Sequence, residues 1–313
     1  MNVLSLFDGI SCARIALDNL GIKVDNYFAS EIDENAINVS KNNFPDIRHI
    51  GDIKNVKAID LPKIDLLIGG SPCQDLSNAQ NGLGLKGKKS GLFYEYIRLL
   101  KEVKPKYFLL ENVKNKWGYV MSEYVGVDYI EVNSAILSAQ SRPRLYWTNI
   151  NYSNFPEKNS NKTLNHIIVD NAPRNFYLQK EGLSDFIKNT THNVSISRDG
   201  IQKLFEIPKE IHKDHERQRR VYSLNSKSPT ILARADTTKI LINNEIRKLM
   251  PIECERLQGI PDNYTSIASD TQRYKMIGNA FTVDVIEHFL KGIEFEPTTK
   301  KRIVQKTLFD IEI

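Results

Sequence analysis

Along the first half of the chain, continuous apolar runs alternate with stretches whose apolar residues recur every three or four positions. The runs at Asn2 to Phe7, Val24 to Ser30, Ile64 to Ile68 and Phe108 to Glu111 read as strands buried on both faces. The intervening stretches, Cys12 to Leu20, Glu34 to Asn43 and Leu92 to Val103, predict helices, the first closed by Gly21. Such alternation predicts an α/β fold built on a doubly wound, mostly parallel sheet. Two more strands, Tyr129 to Ile136 and Arg144 to Thr148, follow with a short connection. After Asn149 the pattern is lost. The region from Asn151 to Asp199 is rich in Asn, Ser, Thr and Lys, and a smaller, irregular domain is expected over 151–245. Apolar periodicity resumes near Leu249, and a last helix from Val283 to Lys291 is expected to pack back on the first domain. The expected division is 1–150, 151–245, 246–293 and a tail, 294–313.

Composition changes this picture little. With 313 residues and 41% hydrophobic positions the chain can bury a substantial core. A net charge of +5 permits a nucleic-acid partner without requiring one. Three cysteines, Cys12, Cys73 and Cys254, lie far apart. They form neither a disulfide framework nor a metal-ligating pair, which points to a reducing, cytoplasmic home. The six histidines include no His-x-x-x-His pair and no Cys/His cluster, so no metal is expected. No apolar run approaches membrane-spanning length, and no membrane partner is expected. The opening residues lead into a strand without reading as a signal peptide.

Candidate chemistry gathers at strand ends. Ile64–Ile68 runs into Gly69-Gly70-Ser71-Pro72-Cys73-Gln74, so a stiff Gly-Gly/Pro turn presents a thiol at the carboxyl edge of the sheet. That edge is where open α/β sheets bind ligands. Phe108-Leu109-Leu110-Glu111-Asn112-Val113 brings a carboxylate to the same edge. Gly9 permits a tight turn after the first strand. Glu31 ends the second strand about 20 residues later, where a carboxylate can hold ribose hydroxyls. A phosphate-binding Gly-x-Gly-x-x-Gly is absent, which argues against a dinucleotide. Arg142 and Arg144 share a strand face. The segment from Asn78 to Gly91, with four glycines and Lys86, Lys88 and Lys89, reads as a closing loop that grips phosphate. The basic run Lys209 to Arg220 is either a solvated face or a contact to a nucleic-acid backbone.

Together these segments resemble the ordered motifs of the DNA cytosine-5 methyltransferase family. They are Phe7-Asp8-Gly9, Glu31, Asp52, Pro72-Cys73-Gln74, Glu111-Asn112-Val113, Gln140-Ser141-Arg142-Pro143-Arg144, Arg256-Leu257-Gln258-Gly259-Ile260-Pro261-Asp262 and Gly278-Asn279-Ala280-Phe281-Thr282-Val283. The resemblance is to bacterial and phage enzymes, with a compact catalytic domain similar to the vertebrate de novo enzymes. The first motif departs from the family in having Ser11 and Cys12 where further glycines are common.

The resemblance implies a class I methyltransferase sheet closed by an antiparallel hairpin, with target recognition in 151–245. It implies S-adenosylmethionine as cofactor, held by Phe7, Gly9, Glu31, Ile32, Asp52, Ile53, Pro72, Asn279 and Ala280. Phe7 and Ile32 would wall the adenine, and Asp52 would take its amino group. Cys73 would add to carbon 6 of a flipped cytosine, making carbon 5 nucleophilic. Glu111 would share a proton with the ring nitrogen N3. Arg144 would contact the cytosine carbonyl and hold Glu111, and Arg142 a phosphate beside the flipped base. Asn112 would orient the Gly-Gly turn through backbone bonds. Gln74, Ser77, Lys86, Lys88, Lys89, Gln140 and Arg234 would contact double-stranded DNA.

The interval from Glu111 to Arg142 is short. It is expected to lack the helix common there in bacterial restriction-modification enzymes, leaving a sheet face open for a partner or a second copy. In the tail, Gln305-Lys306-Thr307-Leu308-Phe309 resembles the pentapeptide that docks bacterial DNA enzymes on the sliding clamp, with Gln305, Leu308 and Phe309 as its contacts. The alternative for these residues is to fold back on the chain itself. Two functional alternatives stay open at this point, a tRNA methyltransferase with the same chemistry and a catalytically silent DNA-binding relative.

Overall fold

The structure, a computed structural model, describes residues 1–71, 91–235 and 237–294. The expectations placed on Pro72, Cys73, Gln74, Ser77, Lys86, Lys88, Lys89, Gln305, Leu308 and Phe309 therefore lie outside the described residues.

Strands β1 (Asn2–Leu6), β2 (Asn26–Ser30), β3 (Arg48–His49), β4 (Leu66–Gly70), β5 (Tyr107–Val113), β6 (Ile130–Asn133) and β7 (Pro143–Thr148) form a seven-stranded sheet in the order β3-β2-β1-β4-β5-β7-β6. The first five are parallel, and β7 runs antiparallel to both β5 and β6. The expected parallel sheet with a terminal hairpin is what forms. Helices α1 (Cys12–Asn19), α2 (Glu34–Asn43) and α3 (Gly91–Val103) fill the crossovers.

The buried strands carry two cores. In β1, Val3 packs into one cluster with Ala16, Tyr27 and Ile68, while Leu4 and Leu6 pack into another with Phe93, Tyr96 and Trp147. Covering both faces explains why these strands read as continuous apolar runs. Helix α2 starts at Asp33, whose side chain accepts from Asn35 N, which satisfies one of the free N–H groups of the first turn.

The interval between Glu111 and Arg142 corrects the sequence expectation. It holds a helix, α4 (Gly118–Val125), ended by left-handed Gly126. Met121 is buried in the core shared with Trp147. The Trp147 indole N–H donates to Ser122 Oγ at 2.8 Å. Gly118 lets the helix pack closely on the sheet, since a Cβ there would lie 2.8 Å from Leu145 Cδ1. The sheet face is covered, and the argument for a dimer or partner surface at that place falls with it.

The region after Asn149 is less irregular than expected. It contains α5 (Leu183–Asn189), α6 (Glu216–Arg219) and strands β8 (Lys203–Glu206), β9 (Arg220–Tyr222), β10 (Lys239–Ile242) and β11 (Glu245–Lys248), in a sheet ordered β11-β10-β9-β8. Asn243 and Asn244, both with positive φ, make the two-residue turn between β10 and β11. Leu183, Ile187, Phe205, Ile207, Val221 and Ile246 form its own core. Because β11 pairs through Lys248, the small sheet ends three residues beyond the boundary expected at 245. The chain then returns through α7 (Pro251–Leu257), α8 (Asp270–Asn279) and α9 (Val283–Leu290). Val285, Ile286 and Phe289 of α9 join Ala16 and Leu17 of α1 in the first core.

Candidate active site and cofactor mouth

The end of β1 is a tight turn with three left-handed residues, Phe7 (φ 57°), Gly9 (φ 59°) and Ser11 (φ 61°). A Cβ on Gly9 would meet nothing within 4 Å, so the backbone faces open space where a ligand could approach. The turn is held from below by Asp8. Its buried carboxylate accepts from Tyr27 Oη at 2.7 Å and Ser11 Oγ at 2.5 Å. Burial pushes this carboxyl up to about 6, against the pull of the Ser11, Ser5 and Tyr27 hydroxyls. Sequence reasoning gave Asp8 no role; its signal was an acid inside an otherwise apolar strand end.

Glu31, at the end of β2, accepts from Gly9 N at 2.8 Å, Ile32 N at 2.7 Å and Asp33 N at 2.9 Å. It thus closes the turn from the neighbouring strand. Ile32 beside it is 70% exposed, at the mouth of the turn. Asp52 accepts from Lys54 N at 3.0 Å and starts a single helical turn over Ile53–Asn55. The Ile53 side chain is buried in the second core, which leaves its backbone as the part that can face the mouth.

Next along the edge, β4 ends in Gly69-Gly70. A Cβ on Gly69 would sit 2.7 Å from Leu6 O, and one on Gly70 2.8 Å from Phe281 Cε1 and 3.1 Å from Glu111 Oε2. Both glycines are therefore required by crowding. Asn112 Nδ2 donates to Ser71 O at 3.2 Å and Ser71 Oγ at 2.9 Å, fastening the chain two residues before Cys73.

Glu111 and Arg144 meet as the sequence suggested. Arg144 Nε lies 2.9 Å from Glu111 Oε1, with side chains 12% and 13% exposed. Burial raises the Glu111 pKa, and the positive charges of Arg144 and Arg142 oppose the rise. A carboxyl poised in this way can retain or share a proton at a pH where a solvated one is ionised.

Gln140 and Arg142 depart from expectation. Gln140 is fully buried; its side chain accepts from Ile231 N at 2.9 Å and donates to Gln258 Oε1 at 3.2 Å, so it has no access to DNA. Arg142 is 3% exposed and donates to Gly278 O at 2.9 Å and Ala280 O at 3.0 Å. Its guanidinium lies among backbone carbonyls, not at the surface where a phosphate would pass. Asn279 and Arg234 are exposed, and Ala280 is half-buried. In the basic run, Lys209, Lys213 and Arg217 are exposed. Arg219 instead pairs with Glu206 at 2.6 Å and donates to Ile207 O, a structural use.

Among the described residues, no group of three His, Cys, Asp or Glu side chains could hold a metal ion, and no helix is long and apolar enough to cross a membrane.

The sequence profile of the C-5 cytosine-specific DNA methylase family matches residues 1–118 and 133–294. The unmatched stretch is the one containing α4 and the first part of β6. The type II methyltransferase M1.ScrFI of Lactococcus lactis subsp. cremoris is 34% identical over 91% of this chain and 75% of its own length. M.FnuDI of Fusobacterium nucleatum is 30% identical over 99% of this chain and 100% of its own. Among solved structures, the Entamoeba histolytica methyltransferase EhMeth superposes with a TM-score of 0.68 at 16% identity, covering 93% of this chain and 97% of that one. With the fold and the family both matched, the chain belongs to the C-5 cytosine-specific DNA methylases, enzymes that methylate carbon 5 of cytosine in DNA.

Proposed function

We propose that this enzyme flips a target cytosine out of double-stranded DNA, adds the Cys73 thiolate to carbon 6, and methylates carbon 5 with S-adenosylmethionine as donor. The observation that carries the residue assignment is the Glu111–Arg144 pair, 2.9 Å apart, beside the turn that leads to Cys73. The cofactor reading is supported by the open backbone at Gly9 and the exposed Ile32. It is also supported by Glu31, whose carboxylate sits where ribose hydroxyls could replace its backbone donors. When bound, S-adenosylmethionine supplies an electrophilic methyl group. Phe7 and Ile32 would flank its adenine, Glu31 and Asp52 would hold its polar groups, and Asn279 and Ala280 would complete the site.

The rest of the chemistry belongs to the chain. Cys73 supplies the nucleophile and splits one hard step into two. Once carbon 5 has taken the methyl group from the sulfonium, which leaves as S-adenosylhomocysteine, the carbon 5 proton is lost to base, the bond from carbon 6 to Cys73 breaks and the thiolate is returned. Glu111 holds a proton against cytosine N3, so the charge that develops on thiol addition is neutralised. Arg144 fixes that carboxyl and lies within reach of the cytosine carbonyl. Arg142 acts at one remove, by anchoring the Gly278–Ala280 backbone. Gln74, Ser77, Lys86, Lys88, Lys89 and Arg234 are proposed DNA contacts, and the region of the small sheet reads the target sequence.

We place the enzyme in the cytoplasm with the nucleoid, and propose Gln305, Leu308 and Phe309 as a contact to the sliding clamp. The test of the central reading is a duplex carrying 5-fluorocytosine at the target. A covalent adduct mapped to Cys73 is expected, because fluorine cannot leave as a proton does. An adduct on Cys12 or Cys254 overturns the assignment.

A further inference from the structure

Gln258, just after α7, is fully buried, and its amide uses all of its hydrogen-bonding capacity. Nε2 donates to Ile277 O at 3.0 Å and Ala280 O at 3.1 Å, while Oε1 accepts from Gln140 Nε2 at 3.2 Å and Thr282 Oγ1 at 2.9 Å. Helix α8 ends at Asn279, and the last carbonyls of a helix have no intrahelical donor. Here side chains add donors, Gln258 to Ile277 O alongside the backbone N–H of Ala280 and Arg142 to Gly278 O, and both converge on Ala280 O.

The neighbouring backbone leaves no slack. A Cβ on Gly278 would lie 2.4 Å from Ala233 N, and Phe281 abuts Gly70 beside Glu111. Gln140 ties the same cluster to Ile231 N of the small domain's connecting segment.

We propose that Gln258, oriented by Gln140, is a positioning residue that sets cofactor affinity by locking the Gly278–Ala280 turn. The proposal rests on the reading of Asn279 and Ala280 as cofactor residues. Without the amide, the end of α8 loses two of its donors, and the exposed Asn279 loses its fixed backbone. Gln258→Met keeps the volume and removes all four bonds. Gln258→Glu keeps the shape but turns an acceptor toward Ile277 O and Ala280 O.

The experiment is calorimetric titration of the full-length variants with S-adenosylmethionine and with S-adenosylhomocysteine, alongside steady-state kinetics. For either variant the cofactor Kd and KM should rise about tenfold or more, since Gln258→Met removes all four bonds and Gln258→Glu the two donated by the amide nitrogen. With cofactor and DNA saturating, kcat should stay within about threefold of wild type. The control is Glu255→Gln, which weakens the buried bonds from α7 to Thr265 and Arg273 without touching the Gly278–Ala280 turn. It should lower the melting temperature and leave the cofactor Kd unchanged.

A Gln258 variant with wild-type Kd overturns the proposal, as does Glu255→Gln raising Kd equally. If the Gln258 variants do not fold, Gln140→Met decides: it should raise Kd about three- to tenfold, and no rise overturns the proposal. A folded wild-type protein that binds neither cofactor form would overturn the cofactor reading itself, a result distinct from the others.

Discussion

Arg144 Nε reaches Glu111 Oε1 at 2.9 Å diagonally across the β5–β7 ladder, in which Glu111 pairs with Tyr146 and Arg144 with Val113. The antiparallel pairing of these strands is what brings a charge from the returning chain onto the acid at the end of a parallel strand. Replacing Arg144 by alanine leaves that acid buried with less positive charge nearby, raising its pKa further. Turnover is expected to fall about a hundredfold or more, since on the proposed mechanism a donor to the cytosine carbonyl is lost together with the partner that fixes Glu111. Single-turnover methylation rates measure this, and a rate near wild type would leave Arg144 with a structural role only.

Asp8 gives a prediction about pH and stability. Its carboxyl stands at about 6 in the folded protein against an ordinary 3.8, chiefly through burial. The folded state therefore binds a proton more tightly than the unfolded chain. Stability should fall as pH rises between about 4 and 6 and level off above, by a total on the order of 3 kcal/mol. Asp8→Asn should remove that slope. Urea denaturation at several pH values checks it, and parallel curves for the two proteins would refute it.

Arg247 and Glu253 form a fully buried pair at 2.6 Å, both with no exposed side-chain surface. Removing one partner strands the other, so Arg247→Met should destabilise the fold by about 3–5 kcal/mol. Adding Glu253→Leu should restore much of the loss. The pair joins β11 to the first turn of α7 and shares no hydrogen bond with Glu111, Gln258 or Asn279, so cofactor binding below the melting temperature should be unchanged.

Thiol chemistry distinguishes the three cysteines. Burial drives the Cys12 and Cys254 thiols far up, with nearby acids adding to the rise. Native-state alkylation at neutral pH should spare both, because only the thiolate reacts. Any fast-labelled cysteine should be Cys73, and Cys73→Ser should abolish both that labelling and methyl transfer. Peptide mapping that finds Cys12 or Cys254 modified at the same rate would contradict this.

A domain exchange tests where the small sheet ends. A chimera that swaps 151–248 keeps the β10–β11 hairpin whole, whereas a junction at 245 severs it at Glu245, which pairs with Ile242. The longer exchange should fold and carry its donor's target sequence, and the shorter one should be less stable. A folded chimera that retains the original target would move recognition out of this region.

Much of this could be read from the chain beforehand. Buried strands announce themselves as apolar runs, and α2 spans Glu34–Asn43 as its pattern predicts. Helix α4 is hidden by the shortness of its interval, although Gly126 marks its end. For Gln140 and Arg142 the resemblance implies contacts to DNA, and the motif carries no sign of burial. Their burial depends on Ile231 and Gly278, which approach from 91 and 136 residues away, a pairing no local signal encodes.

The Gly69-Gly70 turn is crowded by residues from opposite ends of the chain, Leu6 on one side and Phe281 on the other. The first turn is likewise braced by Tyr264, whose hydroxyl donates to Ile10 O at 2.8 Å. During synthesis the amino-terminal half leaves the ribosome long before either brace exists. A nascent chain that stops at Lys248 therefore has its parallel strands but a slack, uncapped edge. Capacity to methylate should switch on only with the last helices, so incomplete chains would leave DNA unmarked; a released 1–248 fragment that bound cofactor like the whole enzyme would disprove this.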